Sequence, residues 1–429
     1  MVRTTRPVLV LGADSPIGLT VVRELGARGV AVIAHGRSAR ALGRFSRFTR
    51  EFLVDQRPLA EWLPEYVAGQ GIEAVMAVSE GHLVELAALK DRVPCKVLTP
   101  DAERLASVLD KARTLEVARR VGMAVPTDWQ PTAGEDFASR AVEIAYPVAL
   151  KWADPNAVQG ALAEAGIAFE KVEYAQDAAA LTAILARYDR LAAWPLVQQY
   201  CPGFGLGQML HMADGKATLR FQHRRLREFP PSGGVSSFCA SVPLTEHAVQ
   251  MAKSEQLLAA LGWEGPAMVE YRHDPASGTY WLMEINGRFW GSIPLAWHCG
   301  AHFAWETYRC GVLGEDSPSP VGWGWGGGTT PASSPHPRPR PAGEGSSYSQ
   351  RRARYVIPDA KRTVMVLKDA SLPLASRIAA VGRFCLDFLD PRVRYYVWSL
   401  SDPGPFFGDL AGIVRRLWRS ERREKCFSK

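Results

Sequence analysis

The sequence lacks the features that most directly identify membrane proteins, secreted proteins and proteins stabilised by disulfides or zinc. No uncharged apolar run approaches the roughly 18–20 residues that a membrane-spanning helix requires. Residues 1–30 contain no separate apolar segment followed by a small-residue cleavage site. The seven cysteines are scattered along 429 residues without a C-x-x-C pair, so neither a disulfide framework nor a zinc site is indicated. We therefore expect a protein of the reducing cytoplasm.

Most of the chain also lacks the basic excess that nucleic-acid binding requires. The net charge is +7, but residues 351–429 contain 17 Lys and Arg against 8 Asp and Glu. That segment alone carries +9, so residues 1–350 carry −2. We therefore expect no nucleic acid among the partners. The length is sufficient for two to four domains with a sizeable core.

Secondary-structure patterns predict a chain that is α/β at its start and α+β after it. Strand-like runs at 8–11, 30–34, 74–78 and 96–98 alternate with helical patterns, which favours a parallel sheet in residues 1–105. Residues 100–122 read as one helix, and residues 147–152 read as a strand. From residue 196 to residue 316 the pattern is one of antiparallel strands with short turns.

The C-terminal third divides into two parts by composition. Residues 317–350 hold seven prolines and seven glycines, which predicts a disordered linker. The basic segment 351–429 contains a strand-like run at 362–367 and an amphipathic helix from about Pro405. Phenylalanine, leucine and tryptophan recur on that helix between arginines. We favour docking of the helix on the protein, with peripheral contact with an anionic membrane as the alternative.

The first strand leads into a glycine turn that matches the dinucleotide-binding fingerprint poorly. The three positions that should be glycine are occupied by Gly12, Asp14 and Ile17, and the second strand ends without the acidic residue that binds ribose. A tight structural turn is the simpler interpretation. An NADP-dependent oxidoreductase stays an alternative, because Arg37 follows the second strand and suits a 2′-phosphate.

The most informative segment is a strand with one polar face near residue 284. Alternation places three polar side chains together: Glu284, Asn286 and Arg288. It places the apolar side chains on the other face: Trp281, Met283 and Ile285. Carboxylate and amide oxygens are the ligands that Mg²⁺ prefers, and a guanidinium group binds phosphate oxygens. The pattern therefore predicts a magnesium–phosphate site.

A second carboxylate is expected on the neighbouring strand. If the hairpin closes through residues 274–278, His273 faces Thr279 and Glu270 faces Leu282. Glu284 then lies on the diagonal of the same face, about 7–8 Å away, close enough to share metal ions. The alternative is a solvated hairpin face with a surface ion pair.

In order along the chain, Lys111, Lys151, the segment 197–203, Glu270 and the segment 284–288 resemble the ATP-grasp superfamily of carboxylate–amine ligases. The resemblance covers about residues 8–315. Segments 226–234 and 283–291 are similar to carbamoyl-phosphate-synthase-like ATP-grasp domains. The resemblance implies a Rossmann-like pre-ATP-grasp domain at 1–105. It also implies an ATP-grasp domain at 106–316, divided into a smaller subdomain (106–195) and a catalytic antiparallel subdomain (196–316).

The resemblance also implies roles for individual residues, with ATP and Mg²⁺ as the ligands. Two lysines would contact the ATP phosphates: Lys111 and Lys151. Four hinge residues would offer backbone groups to adenine: Gln198, Gln199, Tyr200 and Cys201. Three residues would hold Mg²⁺: Glu270, Glu284 and Asn286. Arg288 would steady the transferring phosphoryl group.

One further anion-binding residue is expected in the basic run 223–228. Alternation predicts that Arg225 and Arg227 point the same way, and the arginine fork suits a carboxylate or an acyl phosphate. We expect Arg225 to be a catalytic residue on this basis.

The chain departs from the superfamily pattern in two places. The segment after Lys151 has only Gly160 and Gly166 where a glycine-rich, phosphate-covering loop is usual. Residues 204–207 replace the acidic residue that would bind the ribose hydroxyls. The expected activity is an ATP- and Mg²⁺-dependent ligase that activates a carboxylate as an acyl phosphate for attack by an amine. Its partners would be a small carboxylate and a small amine. A nucleotide-binding protein without turnover is the alternative.

Overall fold

The computed structural model describes residues 6–152, 155–170, 172–231, 233–314 and 348–412. A parallel sheet in the order β3-β2-β1-β4-β5 forms the N-terminal part. Its strands are β1 (Val8–Leu11), β2 (Val32–Gly36), β3 (Thr49–Val54), β4 (Ala74–Ala77) and β5 (Lys96–Val97). Its helices are α1 (Pro16–Gly26), α2 (Leu63–Gln70) and α3 (Glu80–Leu89). β1 is apolar at every position because both of its faces are buried.

A small antiparallel sheet in the order β6-β9-β7-β8 follows two connecting helices. The elements are α4 (Ala102–Leu109), α5 (Lys111–Arg120), β6 (Asp128–Trp129), α6 (Phe137–Ala141), β7 (Val148–Lys151), α7 (Pro155–Glu164), β8 (Glu173–Ala175), α8 (Ala178–Ala186) and β9 (Leu196–Gln199). This sheet has its own apolar core, which includes Leu150, Leu181 and Trp194.

The prediction of one helix over 100–122 is wrong, because two helices occupy this stretch. Asp110 separates α4 from α5 with extended backbone angles (φ −74°, ψ 102°). Its carboxylate accepts a hydrogen bond from the Arg113 N–H (3.1 Å) and so caps α5. Lys111 is therefore the first residue of a helix.

The largest sheet has the order β14-β13-β10-β11-β12-β15-β16. Its elements and their neighbours are β10 (Phe204–Ala213), β11 (Lys216–Phe229), β12 (Val235–Ser241), α9 (Ala248–Ala260), β13 (Gly265–Asp274), β14 (Thr279–Asn286), α10 (Ile293–Cys299), α11 (Phe303–Tyr308), β15 (Arg352–Arg354), α12 (Val356–Lys368), α13 (Leu374–Leu386) and β16 (Val393–Tyr395). The two last strands of the order come from the C-terminal segment, so residues 348–412 complete the sheet rather than form a detached tail.

The predicted strand at 362–367 is wrong, because this run lies inside helix α12. Its buried positions, Asp359, Thr363 and Val366, are spaced by four and three residues, which is the period of a helix face. The helix expected from about Pro405 is present at residues 404–412, and the part after residue 412 lies outside the described residues.

Most of the predicted linker, residues 317–347, also lies outside the described residues. Its last three positions differ from the expectation. The Tyr348 ring lies 5.5 Å from the Phe221 ring, and the Ser349 N–H donates to the Cys299 carbonyl (3.3 Å). These residues therefore pack against the large sheet. In the part of the chain that the structure describes, no helix is long and apolar enough to cross a lipid bilayer.

Candidate active site

Strands β13 and β14 place two carboxylates directly opposite each other. The predicted pairing of His273 with Thr279 is wrong, because Thr279 pairs with Asp274 and His273 pairs with Tyr280. A β-bulge between Tyr271 and Glu270 shifts the register once more, so that Glu270 faces Glu284. The predicted pairing of Glu270 with Leu282 is therefore wrong by two residues: one comes from the closure of the hairpin, and one is the extra residue that the bulge inserts, Met283. Direct cross-strand partners are closer than diagonal ones, which strengthens the expectation of a shared cation.

The same bulge corrects the predicted apolar face of β14. Leu282 is buried in the core that also contains Val269, and Ile285 packs against that core. Trp281 and Met283 do not belong to this core. Because the bulge reverses the alternation at Met283, Glu284 keeps its predicted polar face while the apolar face changes its members.

Glu270 is the more buried of the two carboxylates. Its side chain is 14% exposed and accepts a short hydrogen bond from Arg225 Nη2. Burial raises the pKa of Glu270 to about 7, Arg225 opposes this shift, and the charges of Glu284 and Glu228 add to it. The site therefore concentrates negative charge that favours a bound cation.

Arg225 links its own strand, β11, to β13 and to the residue that precedes β12. Its Nη1 donates to Glu228 Oε1 (3.0 Å) and to the Gly234 carbonyl (3.1 Å). Burial alone would lower the pKa of Arg225, but the neighbouring carboxylates Glu270 and Glu228 raise it. Arg225 therefore stays a cation beside the paired carboxylates.

Arg227 does not share this environment, so the expectation that both arginines point the same way is wrong. The register of β11 against β12 shifts between Arg225 and Arg227, which puts the two side chains on opposite faces. Arg227 instead forms ion pairs with Asp359 (2.8 Å) and Asp387 (2.6 Å) of the C-terminal segment. Of these two arginines, only Arg225 lies beside Glu270.

Lys151 ends β7 and faces the carboxylates from the smaller sheet. Burial lowers the pKa of Lys151, Glu284 and Glu270 oppose the shift, and Lys111 adds to it. All four side chains therefore lie within electrostatic reach of one another. The structure thus brings together two lysines and two carboxylates that are up to 173 positions apart in sequence.

The predicted hinge runs out of β9. Gln198 is buried and pairs with Ala149 of β7. The N–H groups of Gln199 and Tyr200 are engaged, by the carbonyls of Thr127 (2.8 Å) and Pro147 (3.3 Å). These two N–H groups are therefore not free to bind a base.

Cys201 is the hinge residue with an available backbone donor. Its N–H donates to no atom of the described residues, whereas its carbonyl accepts from Arg272 Nε (3.3 Å). Burial raises the pKa of the Cys201 thiol to about 11, with Arg272 and Lys151 opposing the shift. The thiol is therefore protonated, and its S–H donates a weak hydrogen bond to the Gln199 carbonyl (3.6 Å).

The end of β14 meets the N-terminal sheet. Asn286 Nδ2 donates to Glu284 Oε1 (3.0 Å), which orients that carboxylate. Arg288 Nη1 donates to the Phe289 carbonyl (3.1 Å), and its Nε lies 4.0 Å from Glu80 Oε2 at the start of α3. Ligands of open parallel sheets bind at this carboxyl edge.

Two residues of the site were not predicted from the sequence. Glu228 contacts Arg225, and Arg272 donates to the carbonyls of Cys201 and Gly203. Arg272 also lies 3.9 Å from Glu228. Arg272 could have been predicted from the sequence, because residues two positions apart on a strand lie on the same face, and Arg272 follows Glu270 by two positions.

The segment after Lys151 is helical from Pro155 to Glu164, where related folds are expected to carry a glycine-rich loop. The N-terminal glycine turn is filled by its own side chains. Ser15 caps α1 by accepting from the Gly18 N–H (3.3 Å), and Asp14 accepts from the Arg37 N–H (3.0 Å). This arrangement is that of a structural turn.

No model of a known protein family matches the sequence, and no curated protein matches it either. Solved structures do share its fold. The biotin carboxylase domain of a 2-oxoglutarate carboxylase from Hydrogenobacter thermophilus, a complex with MgADP, ADP and bicarbonate, is 15% identical with a TM-score of 0.56. The match covers 73% of this chain and 70% of that chain.

Two further structures are similar over comparable lengths. N5-carboxyaminoimidazole synthetase from Staphylococcus aureus is 11% identical with a TM-score of 0.55, covering 74% of this chain and 79% of that one. An L-amino acid ligase from Bacillus licheniformis is 14% identical with a TM-score of 0.53, covering 73% and 78%. All three are ATP-grasp proteins. The ATP-grasp fold implied by the sequence is therefore confirmed.

Proposed function

We propose that this chain is an ATP- and Mg²⁺-dependent ligase that activates a carboxylate as an acyl phosphate for attack by an amine. One observation carries the proposal. Glu270 faces Glu284 across two paired strands, with Lys151 and Lys111 in electrostatic reach. A phosphoryl-transfer site requires this combination of metal ligands and cations.

The donor set fits Mg²⁺. Glu270 and Glu284 are opposed carboxylates, and repulsion between them contributes to the raised pKa of Glu270. Asn286 donates its amide N–H to Glu284, which leaves its carbonyl oxygen as a third hard donor. When bound, Mg²⁺ would neutralise the phosphate charge. Arg225 orients Glu270 and Asn286 orients Glu284, so each carboxylate has a partner that fixes its orientation.

The nucleotide is assigned from the cations and the hinge. Lys151 and Lys111 would bind its phosphates from the side of the smaller sheet. The Cys201 N–H would donate to the base, because it has no partner among the described residues. This chain offers no acidic residue after the hinge, so we assign binding energy to the phosphates and the base rather than to the ribose.

The chemical steps balance without a covalent enzyme intermediate. The substrate carboxylate attacks the γ-phosphorus of ATP, the bond to the bridging oxygen breaks, and ADP leaves. The amine then attacks the acyl carbon, phosphate leaves with the bonding electrons, and the amine proton passes to water. Arg288 and Arg225 would bind the transferring phosphoryl group and the acyl phosphate, because forked guanidinium groups suit such anions.

The names of the similar structures guide the choice of substrates. One acts on amino acids by its name, and one is bound to bicarbonate. We therefore propose small carboxylates, including bicarbonate and amino acids, as acceptors of the phosphoryl group, and small amines as the second substrate.

The test is a screen for ADP release with Mg²⁺, ATP and pairs of these acids and amines. Once a pair is found, Glu284→Gln should lower turnover by about two orders of magnitude or more, because it removes a charge that balances the metal. Glu246→Gln is the matched control, since Glu246 is exposed and outside the hairpin. Turnover of Glu284→Gln within a few-fold of the control would refute the assignment. ATP binding without ADP release in any mixture would favour the alternative without turnover.

A further inference from the structure

Exposed large apolar side chains are concentrated in the C-terminal segment. Twelve of the 22 such side chains among the described residues lie between residues 364 and 410. A water-facing surface normally carries them singly, so a concentration of this kind marks an interaction surface.

Helix α13 has an outward face that is apolar. None of its residues is buried, yet Leu374 is 64% exposed, Ile378 is 60% exposed and Leu386 is 65% exposed. At 100° per residue these three side chains fall within one arc of the helix, and Leu389 (77% exposed) follows directly. We call these four residues the α13 surface. Surface helices usually point their polar face outward, and this helix does the reverse.

The charges around the α13 surface are mainly positive. The two charged residues within α13 are Arg377 and Arg383, and they lie on either side of the apolar arc. Lys361 and Lys368 are exposed on the neighbouring helix α12. An apolar stripe flanked by basic residues matches the interface of an anionic bilayer, where the stripe enters the acyl region and the cations meet the headgroups.

Three acidic residues of this region are paired with arginines of the protein. Asp359 is bound by Arg354 and Arg227, Asp387 by Arg227, and Asp390 by Arg352 and Arg392. The fourth, Asp369, is exposed and keeps its charge, because hydrogen bonds from Ser371 and the charge of Arg377 lower the pKa of its carboxyl group. Arg383, Lys361 and Lys368 outnumber this one carboxylate, so the net charge beside α13 is positive.

The position of α13 leaves the proposed site accessible. Arg354 is the cross-strand partner of Phe238, and its guanidinium carbon lies 4.0 Å from the centre of the Phe384 ring. Phe384 therefore marks the side of α13 that packs against the sheet. Arg227 also pairs with Phe238 and so shares that face of the sheet, whereas Arg225 and Glu270 lie on the other face. A partner on the α13 surface would not cover the carboxylates.

We propose that the α13 surface binds an anionic lipid bilayer, with the helix lying in the plane of the membrane. A helix of 13 residues is about 20 Å long, which suits an interfacial helix and not a spanning one. Charge complementarity favours an anionic bilayer over a second copy of the chain as the partner. Two copies would bring four basic residues of each chain close to those of the other, and their like charges would repel: Arg377, Arg383, Lys361 and Lys368. The following residues 413–429 add seven Lys and Arg against two Glu to the same region of the sequence.

The experiment is flotation of the full chain with vesicles of phosphatidylcholine, with and without phosphatidylserine, at low and high ionic strength. The chain should float with the anionic vesicles at low salt, and added salt should weaken this binding. The double variant Leu374→Gln/Ile378→Gln should reduce the bound fraction at least about tenfold, since it removes two inserting side chains. Arg383→Glu should reduce it as well.

Matched controls separate binding from misfolding. Val249→Gln changes a side chain that is 77% exposed on α9, and Lys216→Glu reverses an exposed charge on β11, so both should float like the parent. Thermal unfolding should be the same for all variants, because the replaced side chains are exposed. Failure of the parent to float, or equal flotation of the α13 variants, overturns the proposal. A dimer in light scattering that Leu374→Gln/Ile378→Gln converts to a monomer, without vesicle binding, would also overturn it and assign the surface to self-association.

Discussion

The ion pair between Arg23 and Asp402 ties the C-terminal segment to the first helix, and its removal has a predictable cost. Arg23 Nε lies 2.9 Å from Asp402 Oδ2, and the side chains are 0% and 1% exposed. Arg23 also donates to the carbonyls of Val397 (2.7 Å) and Asp402 (2.9 Å). The Asp402 carboxylate accepts from Ser46 Oγ (2.7 Å) and the Arg47 N–H (2.9 Å).

The variant Asp402→Ala leaves the guanidinium group of Arg23 buried without a counter-charge. Removing one member of a buried pair costs about 3–5 kcal/mol, because the remaining charge stays desolvated. We expect the free energy of unfolding to fall by about that amount. Arg23→Met combined with Asp402→Ala should recover part of the loss, since the double variant buries no unpaired charge.

The measurement is urea-induced unfolding followed by tryptophan fluorescence. Glu143→Ala is the control, because its pair with Arg140 (2.7 Å) is exposed by 63% and 51% and should contribute at most about 1 kcal/mol. A loss below about 1 kcal/mol for Asp402→Ala would refute the reasoning that residues 348–412 are an integral part of the fold.

Three further predictions follow from the environments of single residues. Burial raises the pKa of Glu24 to about 7, so between roughly pH 4.5 and pH 7 the unfolded chain ionises this group while the folded chain keeps it protonated. The free energy of unfolding of the parent should therefore fall with rising pH relative to Glu24→Gln, which still accepts the Trp305 N–H; parallel pH profiles would contradict this. Iodoacetamide should alkylate the exposed thiol of Cys385 at least about tenfold faster than the thiol of Cys201, because burial raises the pKa of the Cys201 thiol to about 11. Peptide mass mapping measures both rates, and equal rates would show that Cys201 is not buried. Arg272→Met should weaken binding of Mg·ATP about tenfold in calorimetry, because two hinge carbonyls lose a charged donor, and unchanged affinity would remove Arg272 from the site.

The sequence predicted which residue types form the site, but it did not predict which residues pair across β13 and β14. Alternation correctly grouped Glu284 with Asn286, because these positions lie after the bulge. It failed at Leu282, because one extra residue at Met283 reverses every side chain that precedes it. A bulge has no reliable signature in one sequence, since it depends on the strands on both sides.

Local propensity also failed where tertiary contacts or a cap decide the structure. The run 362–367 has the apolar residues of a strand, but burial of Asp359 against Arg354 selects a helix. Asp110 is a strong helix cap, and it splits a stretch that hydrophobic spacing alone presents as continuous. The two strands at one end of the largest sheet, β15 and β16, are only three residues long. β15 pairs with β12 across more than a hundred positions of sequence, and β16 joins the sheet only through β15.

Calorimetric titration with ATP in the presence of Mg²⁺ tests the central claim most directly. We expect binding of one nucleotide that requires Mg²⁺ and is weakened at least about tenfold in Lys151→Met, because this lysine would bind the phosphates. NADPH should give no heat of binding. Absence of Mg·ATP binding, equal affinity in Lys151→Met, or binding of NADPH in its place would contradict the assignment of the paired carboxylates and lysines to a nucleotide site.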